Sequence, residues 1–157
     1  MATGTPATRV AQQAKIDYTL HEYVHDEAEY GLEAARVLGI DAGRVFKTLV
    51  ARTADDRHIV GIVPVAAQLD LKGLAAAVDA KSAEMARPAD AQRLTGYVLG
   101  GISPLGQKRR LATVLDVSAG EYPTVFVSGG KRGLEIELTP TDLATLTGAT
   151  LAEIARW

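Results

Sequence analysis

The chain has 157 residues, no cysteine and a formal net charge of −2. The missing cysteine excludes disulfides, a cysteine nucleophile and thiolate metal sites. The charge excludes nucleic-acid binding by bulk electrostatics, so an RNA partner would need local contacts or a helper protein. The 47% hydrophobic content is too high for a disordered chain, and the length suits one domain over residues 1–157 with a real core. No apolar run is long enough to span a bilayer, and Met1-Ala2-Thr3-Gly4-Thr5-Pro6 lacks a basic n-region followed by an apolar stretch. A cytoplasmic protein is expected.

In chain order, Thr5-Pro6 predicts a helix start, with threonine as the cap and proline at the first helical position, and Lys15 closes that helix. Tyr18 to Tyr23 alternates like a strand. Gly31 to Leu38 reads as a helix stopped by Gly39. Val45-Phe46-Lys47-Thr48-Leu49-Val50-Ala51 is a run of strand formers in which Lys47 shares a face with Val45, Leu49 and Ala51. A lysine on a core-type face either snorkels at a sheet edge or stands in a pocket that needs an ammonium group.

Asp55-Asp56 marks a hairpin tip, and His58 to Pro64 is the mostly apolar returning strand, expected to be central. Asp70 to Val78 predicts a helix with Leu71, Leu74, Ala75 and Val78 inward. Lys81 to Met85 reads as extended, and a helix runs from Pro88 to Gly96. Tyr97-Val98-Leu99 reads as a short strand entering Gly100-Gly101-Ile102-Ser103-Pro104-Leu105-Gly106. Leu111 to Val117, Thr124 to Ser128 and Leu134 to Leu138 are strands, and Thr139-Pro140-Thr141-Asp142 opens a last helix. Trp157 is expected to pack on the core. The predicted class is α+β, with a mixed or antiparallel central sheet flanked by helices.

Several stretches carry chemical potential. Three glycines and a proline within residues 100–106 make a loop of fixed shape with exposed N–H groups, suited to a phosphate or a carbonyl oxygen, or simply a tight structural turn. Neither a Gly-Lys-Ser/Thr phosphate loop nor a Gly-x-Ser-x-Gly elbow is present. Gln107-Lys108-Arg109-Arg110 and Lys131-Arg132 form a phosphate-contacting patch or an ordinary solvated face. Ser128 ends a strand before Gly129-Gly130, where a hydroxyl points into a cleft or forms a turn. Glu135 and Glu137 share a strand face about 6.8 Å apart, most simply an exposed one. His21 and His25 stand roughly 13 Å apart on an extended segment and cannot share a metal, and His58 lies in another strand.

Phe46-Lys47-Thr48-Leu49, Pro64 to Lys72, Thr95 to Lys108 and Val127 to Leu138 together resemble the YbaK/EbsC family, and within it the Cys-tRNA(Pro) deacylase branch. The resemblance runs from about Thr5 to Trp157. The family is related to the editing domain inserted in bacterial prolyl-tRNA synthetases. It implies a YbaK-like, barrel-like fold and an enzyme that removes cysteine from mischarged tRNA(Pro). It implies no cofactor and no metal, and partners in the tRNA(Pro) acceptor end and, transiently, prolyl-tRNA synthetase.

Lys47 matches the lysine on which the family's activity depends. Tyr23, Thr48 and Ser128 match pocket positions. Gly100, Gly101, Ile102, Ser103 and Pro104 match the Gly-x-x-x-Pro loop that lies against the aminoacyl ester, with N–H groups of Gly101 and its neighbours offered to the carbonyl. Glu135 stands where the family usually has aspartate. The implied mechanism uses the substrate's own thiol, with the protein supplying positioning and electrostatics. Two other readings remain: deacylation of Ala-tRNA(Pro) or of several misacylated tRNAs by water, and a module that binds a nucleotide or RNA end without chemistry.

Overall fold

The structure is a computed structural model and describes residues 4–24 and 30–157. Its first helix, α1 (Pro6–Ala14), begins as the sequence indicates. Thr5 Oγ1 accepts the Thr8 N–H, Thr8 Oγ1 accepts the Thr5 N–H, and Lys15 closes the helix in a left-handed conformation. Then come β1 (Tyr18–Glu22), α2 (Tyr30–Leu38), β2 (Phe46–Thr53), β3 (His58–Pro64), β4 (Gln68–Leu69), α3 (Leu71–Ala77), β5 (Ala83–Met85) and α4 (Pro88–Thr95). The second half holds β6 (Ala112–Asp116), a 3-10 turn (Val117–Glu121), β7 (Val125–Ser128), β8 (Leu134–Leu138), α5 (Pro140–Thr147), β9 (Thr150–Ala152) and β10 (Ala155–Arg156).

The main sheet has the order β5-β2-β3-β6-β9. β2 is antiparallel to β3 and β5, whereas β3–β6 and β6–β9 are parallel. As expected, the sheet is mixed, with β3 at its centre. A second, antiparallel sheet has the order β1-β8-β7, and a two-residue pairing joins β4 to β10. None of the described sheets closes on itself, so the barrel-like part of the expectation gives way to two sheets joined at a corner. That corner is the bridge between Val45 and Phe126, beside Phe126 N–H to Arg44 C=O at 3.1 Å.

Alternation along the strands builds the core. Phe46, Val50, Val60, Ile62 and Leu115 of the main sheet pack against Val125, Val127, Ile136 and Leu138 of the small one. The opposite face of the main sheet buries Ala51, Ile59, Val63 and Val114 under α3 Leu74 and Ile154. A third cluster sets α2 Ala34 and Ala35 with Val45, Val65 and Phe126.

Two local expectations fail, and two short strands went unread. Tyr97–Leu99 is a turn: Gly96 ends α4 in a left-handed conformation, Thr95 Oγ1 takes the Tyr97 N–H, and Gly101 N–H closes back on Val98 C=O. No neighbouring strand is left for these residues to pair with. Trp157 is largely exposed rather than core. β9 and β10 went unread because three- and two-residue strands carry no periodicity. They are held by the buried Asp116 carboxylate, which accepts the N–H groups of Ile154 and Ala155, both at 2.9 Å.

The glycine loop over residues 100–106 is clamped at its far end. Tyr97 Oη donates to Leu105 C=O at 2.7 Å. Gly106 has φ +67°, and a Cβ there would stand 2.7 Å from the Pro6 carbonyl carbon and oxygen. Backbone therefore packs on backbone between the loop and α1. Gly106→Ala is expected to destabilise by about 1–3 kcal/mol, seen as a lower urea midpoint at unchanged slope. An unchanged midpoint would mean that the contact with α1 does not constrain the loop.

Candidate active site

A cavity of about 550 Å³ opens between the two sheets. One wall is β2, with Val45 to Val50. β5 spans only residues 83–85, pairing with residues 51–53 of β2, so it leaves the start of β2 uncovered on that side. Ser128 of β7 and Glu135 of β8 form the opposite wall, Tyr23 follows β1, and Gly100 and Ile102 come from the glycine loop. Leu32, Met85 and Leu99 are exposed apolar residues at its boundary. These three, with Pro88 and Ala91, had no signal in the sequence, because an apolar residue lining a cavity looks like any core residue.

Lys47 is half-buried, and its pKa lies below the ordinary lysine value because burial penalises the charged form. Among the described residues no carboxylate pairs with it. Thr48 follows with its hydroxyl buried and without a hydrogen-bond partner. Lys47 therefore stands on the stretch of β2 that β5 leaves uncovered, in no ion pair with a described residue.

Glu135 is nearly inaccessible, and burial pushes its carboxyl up to about 8. The exposed strand face expected for Glu135 and Glu137 is not what forms. α2 and residues 44–45 cover that face, with Ala34, Ala35 and Val45 packed on Phe126. Glu137, two residues on, is instead well partnered: His21 Nε2 lies 2.9 Å from one oxygen, Thr124 Oγ1 donates to the other at 2.6 Å, and Arg44 approaches that second oxygen at 3.4 Å. These partners hold Glu137 below the usual carboxylate range, although burial opposes them. One strand thus carries two carboxyls driven in opposite directions. Tyr23 is pushed up to about 12, first by burial and then by Glu135. His25, the second histidine of the spacing argument, lies outside the described residues.

The glycine loop contributes differently from the expectation. Gly100 and Ile102 line the cavity, while Gly101, Ser103 and Pro104 are buried. Gly101 N–H is committed to Val98 C=O at 3.0 Å, so it cannot serve a carbonyl oxygen in the cavity. Ser103 Oγ takes the Leu105 N–H at 3.2 Å and stabilises the turn. Among the described residues, nothing accepts the N–H groups of Gly100 or Ile102. The loop packs directly on the second glycine turn, since a Cβ on Gly101 would stand 2.8 Å from Lys131 Cα. Lys131 and Arg132 are therefore half-buried beside the loop, while Lys108, Arg109 and Arg110 are exposed.

Glu135→Gln keeps the shape and removes the titration. The folded carboxyl stays protonated up to about pH 8, whereas the unfolded one ionises near its ordinary value. Between those values the unfolded state binds fewer protons, so Glu135 lowers stability as pH rises. The variant is expected to match wild type near pH 4 and to exceed it by about 1–3 kcal/mol at pH 8 in urea unfolding. A stability difference independent of pH would place the Glu135 carboxyl in water.

Residues 25–146 match the aminoacyl-tRNA editing domain family. EbsC of Enterococcus faecalis, named as a proposed Cys-tRNA(Pro)/Cys-tRNA(Cys) deacylase, is 40% identical over 151 residues, covering 96% of this chain and 92% of EbsC. The uncharacterised protein YwhH of Bacillus subtilis is 33% identical over 112 residues, 71% of each chain. The crystal structure of a proposed trans-editing enzyme for prolyl-tRNA synthetase superposes with a TM-score of 0.84 at 26% identity, covering 98% of this chain and 99% of that one. Every residue lining the cavity except Tyr23 falls within the matched region, and the chain belongs to the aminoacyl-tRNA editing domain family.

Proposed function

We propose that this chain, an aminoacyl-tRNA deacylase, clears cysteine from mischarged tRNA(Pro) in the cytoplasm, acting in trans to prolyl-tRNA synthetase. The observation that carries the reading is Lys47, half-buried on the wall of a cavity that Gly100 and Ile102 also line, with no acidic partner among the described residues; the Gly100 and Ile102 N–H groups donate to no described residue. The names of EbsC and of the similar trans-editing structure support the substrate.

The cavity bears on how cysteine is chosen. At about 550 Å³ it far exceeds the side chain of alanine, cysteine or proline. Size exclusion between such small groups is weak in any case. Chemistry that needs a thiol discriminates better. The chain has no cysteine, so that thiol belongs to the substrate. Its sulfur attacks the carbonyl carbon of its own ester, forming a β-thiolactone. The ester C–O bond breaks, the ribose oxygen leaves with the proton given up by the thiol, and water later opens the thiolactone to cysteine. In this reading Lys47 holds phosphate or ribose oxygens of the terminal adenosine, and the loop N–H groups face the carbonyl oxygen as it gains charge. Tyr23, Thr48, Ser128 and Glu135 shape the remaining wall.

Lys47→Ala is expected to reduce release of labelled cysteine from Cys-tRNA(Pro) by on the order of 10²-fold or more. The thermal midpoint should not fall, because the side chain has no partner to lose. Activity retained in the variant would remove Lys47 from the reaction. Release of alanine from Ala-tRNA(Pro) in place of cysteine would establish the water-using reaction instead.

The net charge of −2 leaves the exposed Lys108, Arg109 and Arg110 to make local phosphate contacts, and binding to free tRNA is expected to be weak. At limiting protein, adding prolyl-tRNA synthetase should therefore raise the rate of cysteine release. Equal rates with and without it would argue against a working complex.

A further inference from the structure

Ser128 is a cavity residue whose hydroxyl both donates to and accepts from backbone. Its Oγ–H donates to Gly101 C=O at 3.1 Å, and the same oxygen accepts the Gly130 N–H at 3.1 Å. It ties the glycine loop to the second glycine turn at the point where the two backbones already touch. Gly101 C=O and Ile102 N–H belong to one peptide group. The peptide is trans and planar, as are all those described, so its C=O and N–H point in opposite directions. Fixing one therefore fixes the other.

The peptide needs this restraint. It follows two consecutive glycines, the first with φ +85°, where the backbone has the most freedom to rotate. Gly101 is anchored on its other side by its own N–H to Val98 C=O. That bond holds the 100–101 peptide and leaves the 101–102 peptide to Ser128. Ile102 lines the cavity, and its N–H donates to no described residue.

We infer that Ser128 is a positioning residue: through its hydrogen bond to Gly101 C=O it locks the 101–102 peptide, and so aims the Ile102 N–H that serves the substrate's acyl oxygen. With its proton spent on Gly101, the Ser128 hydroxyl is not a donor to the substrate. This inference rests on the deacylase reading for the role of the N–H, but the lock itself is a property of the free protein.

The test compares wild type, Ser128→Ala and Ser128→Thr by two readouts. In cysteine release from Cys-tRNA(Pro), Ser128→Ala is expected to lower kcat about tenfold to a hundredfold with KM nearly unchanged, and Ser128→Thr to recover much of the loss. In NMR spectra of the free protein, the Gly101 carbonyl carbon and the Ile102 amide should shift in Ser128→Ala and return in Ser128→Thr. A rise in KM at constant kcat would overturn the inference by making Ser128 a substrate contact. Unmoved Gly101 and Ile102 signals would overturn the lock. If wild type releases no aminoacyl group at all, the deacylase reading falls, and the NMR result alone upholds or overturns the lock.

Discussion

The junction of the two sheets at Val45 and Phe126 is the constraint on which the site depends. Val45 C=O takes the Val65 N–H at 2.8 Å, while Arg44 C=O takes the Phe126 N–H. The chain entering β2 is thereby pinned to β3 on one side and to β7 on the other. Strands diverging from such a corner leave a wedge between them. Phe46, Val127 and Ile136 pack into the core on one face of these strands, and Lys47, Ser128 and Glu135, of the opposite alternation, line the cavity. Lys47 is on the β2 side of that wedge, and Ser128 and Glu135 are on the other. Without the corner, these residues would be neighbours of nothing.

The electrostatics follow from that geometry. Burial alone lowers Lys47 and burial alone raises Glu135. Each therefore stands in poorly solvated surroundings, and they do not pair with each other. A direct ion pair would have stabilised both charges and left no vacancy for a substrate. The adjacent network of His21, Arg44, Thr124 and Phe126 absorbs Glu137 completely, with the Arg44 guanidinium 5.3 Å from the Phe126 ring centroid. The contrast within β8 shows how a shift of two residues turns a structural carboxylate into a group kept neutral at pH 7.

The glycine-rich segments pack backbone against backbone. Gly101 and Gly106 permit backbone to approach backbone at the two ends of one loop, against residues 131–132 and against Pro6. The loop's polar side chains mostly turn inward to hold it: Ser103 stabilises its own turn, and Gln107 donates to Ser103 C=O at 3.0 Å. The loop residues that line the cavity are Gly100 and Ile102.

The elements built from local signals were legible in the sequence. Thr5-Pro6 and Thr139 start the helices they were expected to start, Asp70 caps the helix whose first residue it was expected to be, and β2, β3 and β8 form where strands were expected. Such signals act over three or four residues and need no partner. Lys47 was conspicuous for the same reason: a cation on an apolar strand face conflicts with its own neighbours. Features that depend on residues distant in the chain were not legible. The turn at Tyr97–Leu99, the parallel pairing of β9 under Asp116, the burial of Glu135 and the commitment of Gly101 N–H and the Ser128 hydroxyl to backbone all depend on residues far away or on how a loop closes. Sequence by itself determined the helices and the longer strands and which residues are chemically unusual. Only the tertiary structure decided which polar groups were already satisfied and which were left for a substrate, because a hydrogen bond or a buried charge is a relation between two groups that folding alone brings together.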